Sequence, residues 1–204
     1  MRRDRVSTVG AVLCGGASRR MGRDKALIEV DGRPMAARVA DALRAGGCDR
    51  VLAVGGDAVA LEARVPGLET VPDRWPGEGP LGGLATALSS ATRPAGPDGG
   101  EAVLVLAPCD WLAPAADVVA VLLDALDRTP DASVAVPLVD GRRQWVHAAW
   151  RVDAGVADRA TTLLGSGARR LADAAELVED RGGVVEVVVA ASALIDADTP
   201  GDLP

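Results

Sequence analysis

Thr8-Val9-Gly10-Ala11-Val12-Leu13-Cys14-Gly15-Gly16-Ala17-Ser18-Arg19-Arg20-Met21-Gly22-Arg23-Asp24-Lys25 passes from a short apolar run to paired glycines, and then gathers four cations within seven residues. Val9–Leu13 is apolar on both faces, which is the pattern of a strand buried in a parallel sheet. Four further runs read the same way: Val51–Val54, Val103–Leu106, Ser133–Val136 and Val184–Val189. Helical patterns separate several of them. One is opened at its first turn by Pro34, carries Met35, Val39, Ala42 and Leu43 on one face, and ends at Gly46-Gly47. Others are expected over Leu81–Ser90, Ala115–Leu126, Gly155–Leu164 and Ala168–Val178. Strands alternating with helices predict an α/β fold with a mostly parallel central sheet. In such a sheet ligands bind beyond the carboxyl ends of the strands, so the segments that follow the strands carry the function.

The 204 residues form one domain, with no internal repeat and no linker long enough to divide it; Arg93–Gly100 reads as a surface loop. The chain is 49% hydrophobic, carries a net charge of −7 and has four Trp but no Phe or Tyr, so Ala, Val and Leu must build its core. An acidic chain this poor in aromatics lacks the basic face and stacking platforms of a nucleic-acid binder. The longest apolar runs fall short of the roughly 18 residues that span a bilayer. Cys14, Cys48 and Cys109 are odd in number and have no CxxC spacing, which favours reduced thiols in the cytoplasm over disulfides or a zinc site.

Glycines let backbone N–H groups approach phosphates closely, and the cations that follow neutralise charge. Two familiar phosphate loops do not fit. Gly22 is followed by Arg23 rather than by Lys-Ser/Thr, and Gly15 and Gly16 are not spaced as GxGxxG, which also excludes a dinucleotide-dependent dehydrogenase. An ordinary turn with solvated arginines is the alternative. Against it stands Lys25, the single lysine among 22 lysines and arginines, which marks a place where a compact ammonium fits and a planar guanidinium does not.

Leu13–Lys25 resembles the LAGGxSxRMGxDK signature of the molybdenum cofactor guanylyltransferase (MobA-like) family of nucleotidyltransferases, with Cys14 where Ala is usual. Ala26–Pro34 continues the likeness. Asp73, followed by Gly79-Pro80-Leu81-Gly82-Gly83, is similar to the family's D…GPLAG element, which covers the nucleotide base. Ala107-Pro108-Cys109-Asp110-Trp111 resembles its CPCDxP stretch, and Asp196-Ala197-Asp198-Thr199-Pro200 its D-x-D-T-P ending. Arg142–Trp150 is similar to a QPLHAL-like segment, with Trp145 in place of Pro, and Gly165–Leu171 to a G-x-R-R-L stretch. An Asn frequent at the end of the second strand is replaced by Gly55 or Gly56.

The resemblance implies a three-layer, Rossmann-like nucleotidyltransferase fold and transfer of GMP from GTP to the phosphate of molybdopterin, with Mg²⁺ as cofactor and pyrophosphate released. The nucleotide-binding residues it implies are Leu13, Cys14, Gly15, Gly16, Lys25, Asp73, Pro80, Leu81, Gly82 and Asp110. Lys25, Arg20 and Asp110 are the catalytic candidates, and Asp110 and Asp198 the metal ligands. A carboxylate at the end of a central strand suits Mg²⁺, which takes one or two carboxylates plus substrate phosphates, although Asp110 could instead cap the following helix. Asp24 either orients the loop or pairs with a neighbouring Arg. His147 is either a base or a buried strand histidine; Arg169 and Arg170 either bind an anionic acceptor or decorate a helix start. Transient contact with other molybdenum cofactor biosynthesis proteins or molybdoenzyme chaperones follows from the same resemblance. Two alternatives remain open at this stage. One is a relative that uses CTP or another NTP with a different acceptor, such as molybdenum cofactor, phospholactate or a sugar phosphate; the other is a non-catalytic nucleotide-binding regulator.

Overall fold

The computed structural model describes residues 6–15, 24–91, 102–153, 155–178, 183–197 and 200–202. Strands β1 (Ser7–Leu13), β2 (Glu29–Val30), β3 (Arg33–Pro34), β4 (Arg50–Val54), β5 (Glu69–Val71), β6 (Ala102–Pro108), β7 (Val134–Val139), β8 (Arg142–Arg143), β9 (Ala149–Val152) and β10 (Val184–Val188) alternate with five α-helices. These are α1 (Met35–Ala45), α2 (Ala58–Arg64), α3 (Gly79–Ala91), α4 (Ala116–Arg128) and α5 (Val156–Gly165). The main sheet runs β10-β7-β9-β6-β1-β4-β5, with β8 paired to β7. β1 is parallel to both β4 and β6, and β9 is antiparallel to its neighbours β6 and β7.

β6 is buried at every position, and its side chains alternate between two cores. Leu104 and Leu106 join Leu84, Leu88 and Leu164 of α3 and α5, whereas Val103 and Val105 join Val39, Leu43 and Leu122 of α1 and α4. Helices on both faces of the sheet make three layers, which is why the strands read as unbroken apolar runs.

The chain passes from β1 to β4 and β5 on one side, and then returns through α3 to β6 on the other side of β1. This reversal puts the topological switch point, and the crevice that forms there, between the carboxyl ends of β1 and β6.

Four expectations are corrected. Pro34 is the extended residue preceding α1 (φ −53°, ψ 138°) rather than part of its first turn. β10 lies at the sheet edge, paired with β7 alone; Val185 and Val187 pack towards the α4 side, but Val188 is 81% exposed, so an apolar run alone did not mean burial on both faces. The helix expected over Ala168–Val178 is a 3-10 segment, Leu171–Leu177. Between Ser133–Val136 and Val184–Val189 lie two additional strands, the antiparallel β8 and β9.

Gly46 ends α1 where the α4 backbone comes closest. A Cβ there would sit 2.4 Å from Val119 Cβ and 2.7 Å from the Ala116 carbonyl oxygen. Gly46→Ala is therefore expected to lower stability by about 1–3 kcal/mol through overpacking, seen as a lower urea midpoint at unchanged m-value.

Candidate active site

The loop leaving β1 is pinned to its neighbour strand, since the N–H groups of Cys14 and Gly15 both donate to Val54 O, at 2.9 and 3.0 Å. The fit is close. A Cβ on Gly55, whose φ is +73°, would lie 2.9 Å from Gly15 Cα and 3.0 Å from Gly15 N. Gly55 thus serves close backbone packing in a left-handed turn.

Where the chain is next described, the Asp24 carboxylate caps a 3-10 turn, Lys25–Leu27, by accepting the N–H of Ala26 at 3.0 Å, and it also accepts the N–H of Asp57 at 3.3 Å. These contacts tie Asp24 to the Lys25–Leu27 turn and to the start of α2; the arginines of the alternative pairing, Arg19, Arg20 and Arg23, lie outside the described residues. Lys25 Nζ then crosses the crevice and donates to Asp110 Oδ2 at 2.8 Å and to the carbonyl oxygen of Ala197 at 2.7 Å. Both side chains of the ion pair are less than one-fifth exposed, at 18% and 17%. Asp110 follows the end of β6 and Lys25 opens the Lys25–Leu27 turn, so the contact joins positions 85 residues apart.

The segment that supplies Ala197 is held from several sides. Trp111 and Asp196 form a bridge, Leu112 N–H donates to Ile195 O at 2.8 Å, and Ala197 N–H donates to Asp110 O at 2.9 Å. Trp111 Nε1 donates to Ala193 O at 2.8 Å. Ala197 itself packs with Ile28, Val30 and Met35, so the β2–β3 hairpin braces this strip from behind.

On the β4–β5 side, Asp73 Oδ1 accepts the N–H of Trp75 and the hydroxyl of Thr86, both at 3.0 Å, and a Cβ built on Gly15 would lie 3.5 Å from Asp73 Oδ2. Thr86 was missed by sequence reasoning. A threonine among the apolar residues of α3 carries no signal until its hydroxyl is seen meeting Asp73. Pro80 is exposed at the start of α3, whereas Leu81 is wholly buried in the core, so any ligand contact at Leu81 would be through its backbone. A Cβ on Gly82 would meet Trp75 O at 3.0 Å. Leu13 is half-buried at the end of β1, beside these elements.

Gly16, Arg20 and Asp198 lie outside the described residues. Among the described residues there is no group of three or more His, Cys, Asp or Glu side chains suited to a metal. The chemistry at Asp110 nevertheless fits a hard divalent cation, because such an ion needs only one or two carboxylate oxygens from the protein when phosphates complete its shell. Arg169 and Arg170 are engaged within the chain. Arg169 pairs with Glu78 and donates to Leu164 O, and Arg170 pairs with Asp173 at 2.8 Å.

Cys14 and Cys109 follow the paired ends of β1 and β6, and both are buried and free. A hydrogen bond with the Cys109 thiol, together with burial, raises the Cys14 pKa well above the ordinary thiol value. Cys48 is pushed up to about 12, chiefly by burial. Neither the Cys14 nor the Cys48 environment activates a nucleophile.

His147 is buried as expected, but it lies in a 3-10 turn, Trp145–His147, rather than in a strand, and neither ring nitrogen has a hydrogen-bond partner. Burial lowers its pKa to about 4. Between about pH 4 and 6.5 the unfolded chain binds a proton that the folded chain refuses, so stability rises with pH across this window. It is lost as pH falls towards 4, by a total on the order of 3 kcal/mol. Urea unfolding between pH 4.5 and 7 should show this slope in the native protein and a shallower one in His147→Gln.

A doubly covered, mostly parallel sheet, with a glycine loop and a bridged lysine at its switch point, defines the class of α/β nucleotide-binding proteins. Within that class, the chain belongs to the MobA-like NTP transferase domain family, whose sequence profile matches residues 10–181. It is 48% identical over 81 residues to a probable molybdenum cofactor guanylyltransferase of Deinococcus radiodurans, a match covering 40% of this chain and only 39% of that relative. A probable molybdenum cofactor guanylyltransferase of Mycobacterium marinum is 31% identical over 98% of this chain and 94% of its own length. The fold is shared with Rv0371c of Mycobacterium tuberculosis (TM-score 0.71, 22% identity, 97% and 95% of the two chains covered), which has also been solved in complex with manganese. Among the described residues, no helix is long and apolar enough to cross a membrane.

Proposed function

We propose that the protein transfers GMP from GTP to the phosphate of molybdopterin. An oxygen of the acceptor phosphate attacks the α-phosphorus, the bond between that phosphorus and the α–β bridging oxygen breaks, and the electron pair departs with pyrophosphate. The observation that carries this reading is the Lys25 ammonium, held by Asp110 Oδ2 at 2.8 Å and the Ala197 carbonyl at 2.7 Å in the crevice between β1 and β6. Family membership and the curated relatives support the choice of GTP and molybdopterin.

Phosphoryl-type transfer needs positioning and charge stabilisation more than it needs a protein nucleophile, consistent with the inert thiols and neutral His147. The Gly16 amide and Arg20 bind the β- and γ-phosphates, Gly15, whose own N–H is engaged by Val54 O, lets the loop run close to β4, and Lys25 offsets charge on the transferring group. Asp73, Pro80, Leu81 and Gly82 line the nucleoside side. A bound Mg²⁺, held by Asp110 and Asp198, supplies Lewis-acid neutralisation of phosphate oxygens. Free thiols on all three cysteines accord with a cytoplasmic setting.

Pyrophosphate release, measured with each of the four NTPs with and without molybdopterin, tests the reading. Release with GTP only when molybdopterin is present is the expected result. Release with CTP and another phosphate acceptor would assign a different activity, and GTP-dependent thermal stabilisation without product would mark a binding protein.

A further inference from the structure

The nucleotide-side elements described above, Gly15, Gly55 and Asp73, stand at β1, β4 and β5, which leaves the β6–β9–β7 half of the crevice for the second substrate. His147 lies in that half. It is 3% exposed, and its Nε2 lies 3.7 Å from Asp196 Oδ1. Trp111 meets the ring edge-on, with centroids 4.9 Å apart and planes at 78°, and Trp111 is itself fixed through its Nε1–H bond to Ala193 O. Trp111 thus walls one side of the ring.

Buried polar nitrogens without partners are rare because each forfeits the hydrogen bonds it had in water. A separation of 3.7 Å is beyond a hydrogen bond, but a movement of less than about 1 Å would make one. Asp196 is one-third exposed and directly precedes Ala197, whose carbonyl accepts Lys25 Nζ, so it stands between the buried imidazole and the crevice.

Building on the proposed function, we infer that His147 is a positioning residue for the acceptor. Its ring carries the proton on Nε2 and directs it at Asp196 Oδ1 already in the free protein, 3.7 Å away, and the contact shortens to a hydrogen bond as the acceptor binds, fixing that carboxylate to receive N–H or O–H donors of a phosphate-bearing second substrate. Because Asp196 is bridged to Trp111 beside Asp110, the same contact draws the strip containing Ala197 against the end of β6.

His147 is the only histidine in the chain, so its imidazole signals need no assignment. Long-range ¹H–¹⁵N spectra of the native protein should show the tautomer protonated on Nε2, with a shift that moves in Asp196→Asn. A proton on Nδ1, or a spectrum indifferent to Asp196→Asn, would overturn the inference. This arm needs no substrate, so it decides the inference even if GTP and molybdopterin give no turnover and the proposed function fails. In kinetics, His147→Met should raise KM for the acceptor about tenfold with KM for GTP unchanged. His147→Gln, whose amide nitrogen can replace Nε2, should restore it to within about threefold of the native value. Equal acceptor KM values in the two variants would reduce His147 to a space-filling role. Should the Met variant fail to fold, the His147→Asn variant, whose amide mimics Nδ1 instead, must show the same loss relative to Gln.

Discussion

Lys25→Ala lowers the rate of pyrophosphate release by a factor on the order of 10² to 10³, the usual cost of removing one preorganised charge contact to a transition state. The effect should fall on kcat more than on KM for GTP, because developing charge on the transferring group strengthens the contact only as the reaction proceeds. Lys25→Arg should be impaired as well. The ammonium sits between Asp110 Oδ2 and Ala197 O, at 2.8 and 2.7 Å, where a compact donor can aim protons at both. A guanidinium is longer and planar, and its fixed fork matches two oxygens of one carboxylate better than two acceptors on separate segments. Full activity in the Arg variant would reduce Lys25 to a generic positive charge. Both side chains of the pair are less than one-fifth exposed, so removing Lys25 also leaves Asp110 and the Ala197 carbonyl without their donor and costs stability; urea denaturation of both variants measures that cost, and the rates are compared where each variant is folded.

What could be read from the sequence, and what could not, follows from how local each signal is. β1, β4, β6 and β7 were legible because a strand covered on both faces must be apolar throughout, and β6 is buried along its whole length. β9 carries only four residues, Ala-Trp-Arg-Val, and follows a 3-10 turn. Nothing in so short a stretch distinguishes a strand from a loop. β10 was legible as a strand but not as an edge, since that property belongs to the order of strands and not to the run itself. At the site, Lys25 and Asp110 each stood out on their own chemistry, one as the single lysine and the other as a carboxylate at the end of a buried strand. Their direct contact was not legible, because it depends on the tertiary placement of the Lys25–Leu27 turn against the end of β6, 85 residues on. The bracing of Ala197 by Ile28, Val30 and Met35 was hidden for the same reason.

Asp110→Asn should reduce metal-dependent turnover by a factor on the order of 10² while leaving a folded protein, because the amide keeps the shape of the side chain and loses its charge. Two physical roles are available to the carboxylate, and they predict different results. If Asp110 holds the divalent cation, the activity of the Asn variant should require a higher metal concentration for half-saturation, and the shift should appear with Mg²⁺ and Mn²⁺ alike. If Asp110 serves only to orient Lys25, the metal requirement should stay as in the native protein while kcat falls. The double variant Lys25→Ala with Asp110→Asn separates the contributions further. Groups 2.8 Å apart that act on the same phosphates form one unit, so the combined loss should be clearly smaller than the product of the single losses. Multiplicative losses would mean that the ion pair is dispensable to each residue's own contact with substrate. Its role would then lie before binding, in keeping the crevice between β1 and β6 open and charged on both walls.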